Sequence, residues 1–342
     1  MMKKILVLNT GGTLSSIKSE HGLVPGIRSG DMMEELRMIS KNLQLETEDF
    51  CSVDSSNFFP EDWAALAVRI AEVCREYHGI VVIHGTDTLA YTSSMLSFML
   101  RGIPIPVVVT GSQLSIAHPV ADALENCRGA VHMAASGCPG VFVAFNRKII
   151  LGCRASKVRT MSFDAFESIN YPNIGEISSL GLHIRREYLP PACRDKTPEQ
   201  LRESFQPRFA YSDRAFLLKL YPGIAPEIMD HLVQAGYRGV YIEGFGLGDM
   251  PFLKHNFVEA VHRAVERGVT VLAGSQCLYE GTNLTVYETG LKALSAGVIE
   301  ARDMTAEAAL TKLMWVLGQT NDPQKIRRYL EQNLTGERVQ GW

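Results

Sequence analysis

Four times in the first half of the 342-residue chain, a strand-like run ends in a short loop of small polar residues and passes into a stretch of helical period. Ile5-Leu6-Val7-Leu8 leads into Thr10-Gly11-Gly12-Thr13, and Glu46 to Val53 leads into Asp54-Ser55-Ser56-Asn57. Gly79 to Ile83 leads into His84-Gly85-Thr86-Asp87-Thr88, and Pro106 to Thr110 leads into Gly111-Ser112-Gln113. Uncharged runs of β-formers read as strands buried on both faces, as in parallel sheets covered by helices. The alternation predicts an α/β fold: a doubly wound, mostly parallel sheet whose loops gather along one edge, where open sheets of this kind bind ligands.

Helices are expected over 31–39, from Pro60 to Tyr77, up to Leu100, and from Val120 to Ala135. Residues 14–28 show neither period and read as a loop. Strands near Val141 to Phe145 and Lys148 to Leu151 continue the alternation, within a first domain spanning 1–189. Between 190 and 214 the chain turns rich in Pro, Arg, Glu and Gln, which reads as a linker with at most one short helix. Further strands over Phe216 to Tyr221, Gly239 to Glu243 and Val269 to Ala273 alternate with helices, predicting a second, smaller α/β domain over 215–342.

Composition narrows the function classes. A net charge of −3 with both signs interspersed offers no basic tract for nucleic acid. No apolar run approaches the roughly 20 residues needed to cross a membrane. Lys3-Lys4 and the four apolar residues after them are too short for a secretory signal, so the chain reads as cytoplasmic. Seven cysteines, odd in number and without C-x-x-C spacing, fit free thiols in a reducing compartment. No His/Cys cluster has metal-ligand spacing, and neither the phosphate loop nor the G-x-G-x-x-G fingerprint is present. Neither a metal nor a nucleotide cofactor is expected.

The loops instead collect hydroxyls and a carboxylate: Thr13, Ser55, Ser56, Thr86, Asp87 and Ser112. A hydroxyl nucleophile needs a proton acceptor, and donors aimed at the oxygen that becomes negative when a carbonyl is attacked. The backbone N–H groups of Gly12 and Thr86 are candidates for those donors. Thr86 and Asp87 fit catalysis, and they equally fit the cap of the helix that follows. His84, on the strand side of Gly85, fits a hydrogen-bonded core histidine as well as a base. Lys157, in Arg154-Ala155-Ser156-Lys157, fits a surface charge as well as a base whose pKa burial lowers.

These motifs, in their order and approximate spacing, resemble the type I (cytoplasmic) L-asparaginase family. Phe163-Asp164-Ala165-Phe166, Gly297-Val298-Ile299 and Asn333-Leu334-Thr335-Gly336-Glu337 extend the likeness, which runs from about Lys3 to Glu337. The resemblance implies hydrolysis of the side-chain amide of L-asparagine to L-aspartate and ammonia through a covalent acyl-enzyme, without metal or coenzyme, in a homodimer or homotetramer. Carried over residue by residue, Thr13 is the nucleophile, and Thr86, Asp87 and Lys157 form a second catalytic group. Asp87 receives the substrate α-ammonium, and Asp54, Ser55 and Ser56 hold the α-carboxylate end. Gly12, Gly85 and Ser112 complete the substrate-binding set.

Two departures stand out. Family members usually carry a tyrosine in the loop after the first threonine, whereas Leu23 takes that place here, leaving Lys157 acting through a water as the first candidate partner of Thr13, ahead of His21 and of a residue from a neighbouring subunit. Some bacterial members bind asparagine at a second site through an arginine, where this chain has Glu243, so cooperative activation is not carried over. The nearest rival is the asparaginase-like subunit of the archaeal glutamyl-tRNA amidotransferase, which has an extra domain before its first threonine motif, whereas nine residues precede Thr10 here. A non-catalytic asparagine sensor and a small-nucleotide binder are rivals of other classes.

Overall fold

The structure is a computed structural model and describes residues 2–12, 16–19, 22–25, 42–116 and 118–339, with 16–19 and 22–25 described as backbone only. The chain divides into two compact units, Met1–Phe209 and Ala210–Trp342.

Strands of the first unit are β1 (Lys3–Gly11), β2 (Ser16–Ser19), β3 (Gly22–Pro25), β4 (Leu43–Val53), β5 (Gly79–Ile83), β6 (Pro106–Thr110), β7 (Gly140–Phe145), β8 (Lys148–Leu151), β9 (Ala155–Lys157), β10 (Phe166–Ser168), β11 (Gly175–Ser178) and β12 (Gly181–Ile184). Eight of them form one sheet in the order β12-β11-β8-β7-β6-β5-β1-β4. From β4 to β7 the pairings are parallel, and beyond β7 they are antiparallel. The first strand of the chain therefore lies inside the sheet. Its residues Ile5 to Leu8 are buried, as the uncharged run requires. Register places Asn9 beside Ile83 and Ile83 beside Thr110, so the carboxyl ends of β1, β5 and β6 lie side by side on one edge.

Helix Pro60–Val73 buries Trp63, Leu66, Ala67, Ile70 and Val73, a stripe at helical spacing, and opens with Asp62 accepting the Phe59 N–H at 2.8 Å. Helix Leu89–Met99 is buried on nearly every side, which fits a sequence without a charged residue. Trp63 Nε1 donates to Thr92 Oγ1 at 2.9 Å and joins the two helices. Helix Ala123–Ala134 touches β5, β6 and β7.

The second unit carries β13 (Ala215–Lys219), β14 (Gly239–Gly244), β15 (Thr270–Ser275) and β16 (Ile299–Glu300), all parallel and in chain order. Val240, Ile242, Val271 and Ala273 of its strands and Phe257 and Val261 of helix Phe257–Glu266 belong to one apolar cluster. Helix Ala306–Gln319 carries a lysine, Lys312, that is fully buried. Its Nζ lies 2.6 Å from Glu337 Oε1 and donates to the carbonyls of Leu330 and Gln332, while Glu337 accepts the N–H groups of Leu334 and Thr335. The Asn333–Glu337 motif is thus a turn folded around one carboxylate.

The architecture is the mostly parallel α/β sheet with a smaller α/β partner that the alternation predicts. Three local readings are corrected. Residues 14–28 include the antiparallel β2–β3 hairpin, whose four-residue strands are too short to show a period. The stretch expected to hold at most one short helix holds two, Pro191–Arg194 and Pro198–Ser204, the second started by a Thr197 and Gln200 capping box. Helix Glu288–Ser295 and strands β9 to β12 were not legible from pattern. The helix expected over 31–39 lies outside the described residues.

Candidate active site

The site begins with glycines. Gly11 and Gly12 close β1 with φ of +100° and +83°, a region that side chains rarely enter. Thr10 donates its hydroxyl to the Ile83 carbonyl at 2.8 Å, and the Gly12 N–H donates to the Val53 carbonyl at 3.1 Å, so the end of β1 is tied to both neighbours. A methyl on Gly12 would stand 2.5 Å from the Cα and N of Gly85, and one on Gly85 would stand 2.5 Å from Ser55 Oγ. One on Gly111 would overlap the His84 carbonyl oxygen. The turn after β5 is thus in close contact with those after β1, β4 and β6.

Short hydrogen bonds fix the second turn. Asp54 Oδ1 accepts the Ser56 hydroxyl at 2.5 Å and the Ser56 N–H at 2.9 Å. Those two bonds, the hydroxyl's first, hold the Asp54 carboxyl below its usual range, against burial. Thr88 donates its hydroxyl to the Ser55 carbonyl at 2.7 Å and so joins this turn to the one after β5.

His84 is a core residue. Its Nδ1 lies 2.7 Å from the Gly85 carbonyl and must donate there, which leaves Nε2 to accept from the Thr92 hydroxyl at 3.0 Å. Phe58 packs edge-on against the ring at 4.7 Å. Burial pushes the imidazole down to about 4, outweighing the bond to Gly85, so the ring is neutral at pH 7. Both nitrogens are committed to structure.

Thr86 and Asp87 do not cap the following helix. The cap position is Thr88, which makes no side-chain cap bond, and both residues turn to the β9–β10 hairpin. Lys157, at the end of β9 and mostly buried, places its Nζ 2.8 Å from Thr86 Oγ1 and 2.6 Å from Asp87 Oδ1. The lysine and its partners are 71 and 70 residues apart in sequence. An ammonium donating to a hydroxyl oxygen makes that hydroxyl a stronger donor, and Asp87, its side chain 65% exposed, keeps carboxylate surface open to a cationic ligand.

The structure thus brings Gly12, Ser55, Gly85, Thr86, Asp87 and Lys157 together, with Asp54 and Ser56 on the adjoining turn. Ser112 is buried, and its hydroxyl donates to the Leu114 carbonyl at 2.5 Å. The Gly12 N–H, a candidate oxyanion donor, is already bonded to Val53. Thr13 and His21 lie outside the described residues, and Leu23 is described only as a member of β3. Gln113, Asp122 and Asn126 were missed by sequence reasoning. Asp122 accepts the N–H groups of Gln113 and Leu114 and a bond from Asn126, which also donates to the Gly111 carbonyl. Only a helical spacing of four between Asp122 and Asn126 hinted at the pair.

Among the described residues, no group of three His, Cys, Asp or Glu side chains is placed to hold a metal ion, and no helix is long and apolar enough to cross a membrane. All seven cysteines are free thiols.

Comparison with known proteins gives a consistent result across the chain. Residues 4–189 match the asparaginase N-terminal family, and residues 214–330 match the glutaminase/asparaginase C-terminal domain. An L-asparaginase of Thermococcus kodakarensis is 42% identical over 335 residues, covering 98% of this chain and 98% of the relative. A glutamyl-tRNA(Gln) amidotransferase subunit of Pyrococcus abyssi is 37% identical over 346 residues, covering 98% of this chain and 77% of that protein. The solved structure of the thermostable L-asparaginase from Thermococcus kodakarensis superposes with a TM-score of 0.89 at 40% identity, covering 99% of this chain and all of that one.

Proposed function

As the chain belongs to the asparaginase family of amidohydrolases, we propose that its reaction is the hydrolysis of L-asparagine to L-aspartate and ammonia through an acyl-enzyme on Thr13. The observation that carries this reading is the Lys157 ammonium bridging Thr86 and Asp87. Thr13 follows Gly12 in the chain, and Gly12 is packed on Gly85, one residue before Thr86.

A small zwitterion offers two charges for orientation, and holding both delivers the amide to the nucleophile. Asp87 receives the α-ammonium. The α-carboxylate is received at the Asp54–Ser56 turn through Ser55, while Asp54 takes both the N–H and the hydroxyl of Ser56 and so fixes the shape of that turn. Thr13 Oγ attacks the side-chain carbonyl carbon, and the Thr86 N–H is the donor assigned to the resulting oxyanion. The C–N bond then breaks, and ammonia leaves with the proton that Thr13 gave up. Water, polarised by Thr86 and Lys157, cleaves the ester, releases aspartate and restores the threonine. A water held by Lys157 relays the proton from Thr13 to the departing ammonia, in the place of the tyrosine that Leu23 replaces.

Ammonia release from asparagine by purified Thr13→Ala and Thr86→Ala tests the assignment. Each variant is expected to lose about 1000-fold or more in kcat with an unchanged melting temperature. Near-normal turnover in either one rejects its role. Asparagine is expected to be preferred to glutamine, although one methylene is worth only about 1–3 kcal/mol. The amidotransferase relative favours a second reading, in which glutamine is the ammonia source, and equal rates on the two amides would support it. Binding of asparagine without ammonia release would indicate a sensor. We further place the enzyme in the cytoplasm, where free thiols persist, as a homodimer or homotetramer.

A further inference from the structure

Gln113 stands in the turn after β6, and its side chain joins three segments of the site. Its Nε2 donates to the carbonyls of Thr160 and Ser162, at 3.0 Å each, in the connection between β9 and β10. Its backbone N–H is received by both oxygens of Asp122 at 3.1 Å. The reverse orientation of the carboxamide would set its oxygen against two carbonyl oxygens, so the hydrogen-bond pattern fixes which end faces which way. Oε1 accordingly faces Thr86 Oγ1, 3.5 Å away. Lys157 already donates to that hydroxyl oxygen at 2.8 Å, which leaves the Thr86 hydrogen for Gln113. At 3.5 Å the hold is light, so the hydrogen turns away once a closer acceptor arrives.

We propose that Gln113 is a positioning residue for the reaction. It braces the connection that follows Lys157 against the β6 turn, and it presets the Thr86 hydroxyl, so that the lysine and the threonine stay within hydrogen-bonding distance. This rests on the reading of Thr86 and Lys157 as reacting groups. The hairpin has other ties: Val158 donates its N–H to the Ala165 carbonyl at 2.8 Å, and Asp164 accepts from Asn146 at 2.9 Å and from Lys148 at 2.5 Å. Removing the carboxamide therefore loosens residues 160–162 without releasing β9 from β10.

The test compares wild type, Gln113→Met, Gln113→Glu and Thr86→Ala in steady-state ammonia release from asparagine, with thermal melts of each. Methionine keeps the length and loses both ends of the amide, whereas glutamate keeps an oxygen and loses the two N–H donors. Both Gln113 variants are expected to fall in kcat by about 10- to 100-fold with KM within about twofold, because the groups holding the substrate charges are untouched. Their melting temperatures should stay within a few degrees of wild type. Wild-type kcat in Gln113→Met beside an inactive Thr86→Ala overturns the proposal and leaves the site reading intact. An active Thr86→Ala overturns both. A raised KM at constant kcat overturns it in favour of a substrate contact, and kcat falling together with the melting temperature in both variants overturns it in favour of a role in the fold alone.

Discussion

Gly12 is the residue on which the turns close. Its φ of +83° costs an alanine about 1–2 kcal/mol, and the added methyl would lie 2.5 Å from the Gly85 backbone, which no rotamer change relieves. Gly12→Ala is expected to lower the melting temperature by several degrees and kcat by about 100-fold, as the turn bearing Thr13 shifts from that bearing Thr86. A thermal melt and an ammonia assay check this, and wild-type values in both would show that the contact carries no constraint. The glycines were legible in the sequence because a Gly-Gly pair after a strand states its backbone need directly. His84 was not decided there, since a histidine beside a glycine fits core and catalysis alike. Its partner Thr92, eight residues on along a helix, settles the matter. Gln113 was invisible for the opposite reason: its partners at 160 and 162 are 47 and 49 residues away and contribute only carbonyls, which no side-chain pattern announces.

At the level of elements, helix Ala306–Gln319 and the turn at 333–337 are held by the buried Lys312–Glu337 pair. Burial pushes the Glu337 carboxyl up, but Lys312 and the Leu334 and Thr335 N–H groups outweigh it, and the net direction is down. A carboxyl lowered on folding adds stability above its unfolded pKa and loses it as pH falls through the folded value. Wild-type stability contributed by this pair should therefore decline on acidification below about pH 4.5. Lys312→Met leaves the carboxylate buried without its partner, which costs about 3–5 kcal/mol at pH 7. The Glu337 pKa then lies above the unfolded value, so the deficit against wild type should shrink toward pH 4. Urea melts of both proteins across that range decide it, and a deficit independent of pH would mean that the pair's charge is not what matters. Elements were legible in proportion to their length and uniformity. Strands β5 and β6 are uninterrupted apolar runs and appear with the bounds the sequence predicts. The three- and four-residue strands β9 to β12 are set by pairing with neighbours rather than by any pattern of their own.

For the molecule as a whole, each unit has its own sheet and its own buried core. Residues 205–214 form no helix or strand and include Pro207 and the trypsin sites Arg208 and Arg214. Brief trypsin treatment of the native protein should cut there first and yield two fragments that persist, as read by mass. Digestion that runs to small peptides without such a stage would show that the two cores are not independently stable. The position of β1 has a further consequence, for synthesis. Strand β1 is made before β4 and β5, which flank it in the finished sheet, so its apolar backbone waits with open edges until residue 83 has been made. A nascent chain of this design is exposed to sticking to its neighbours early, and holding that one segment apart is the service a chaperone would render it.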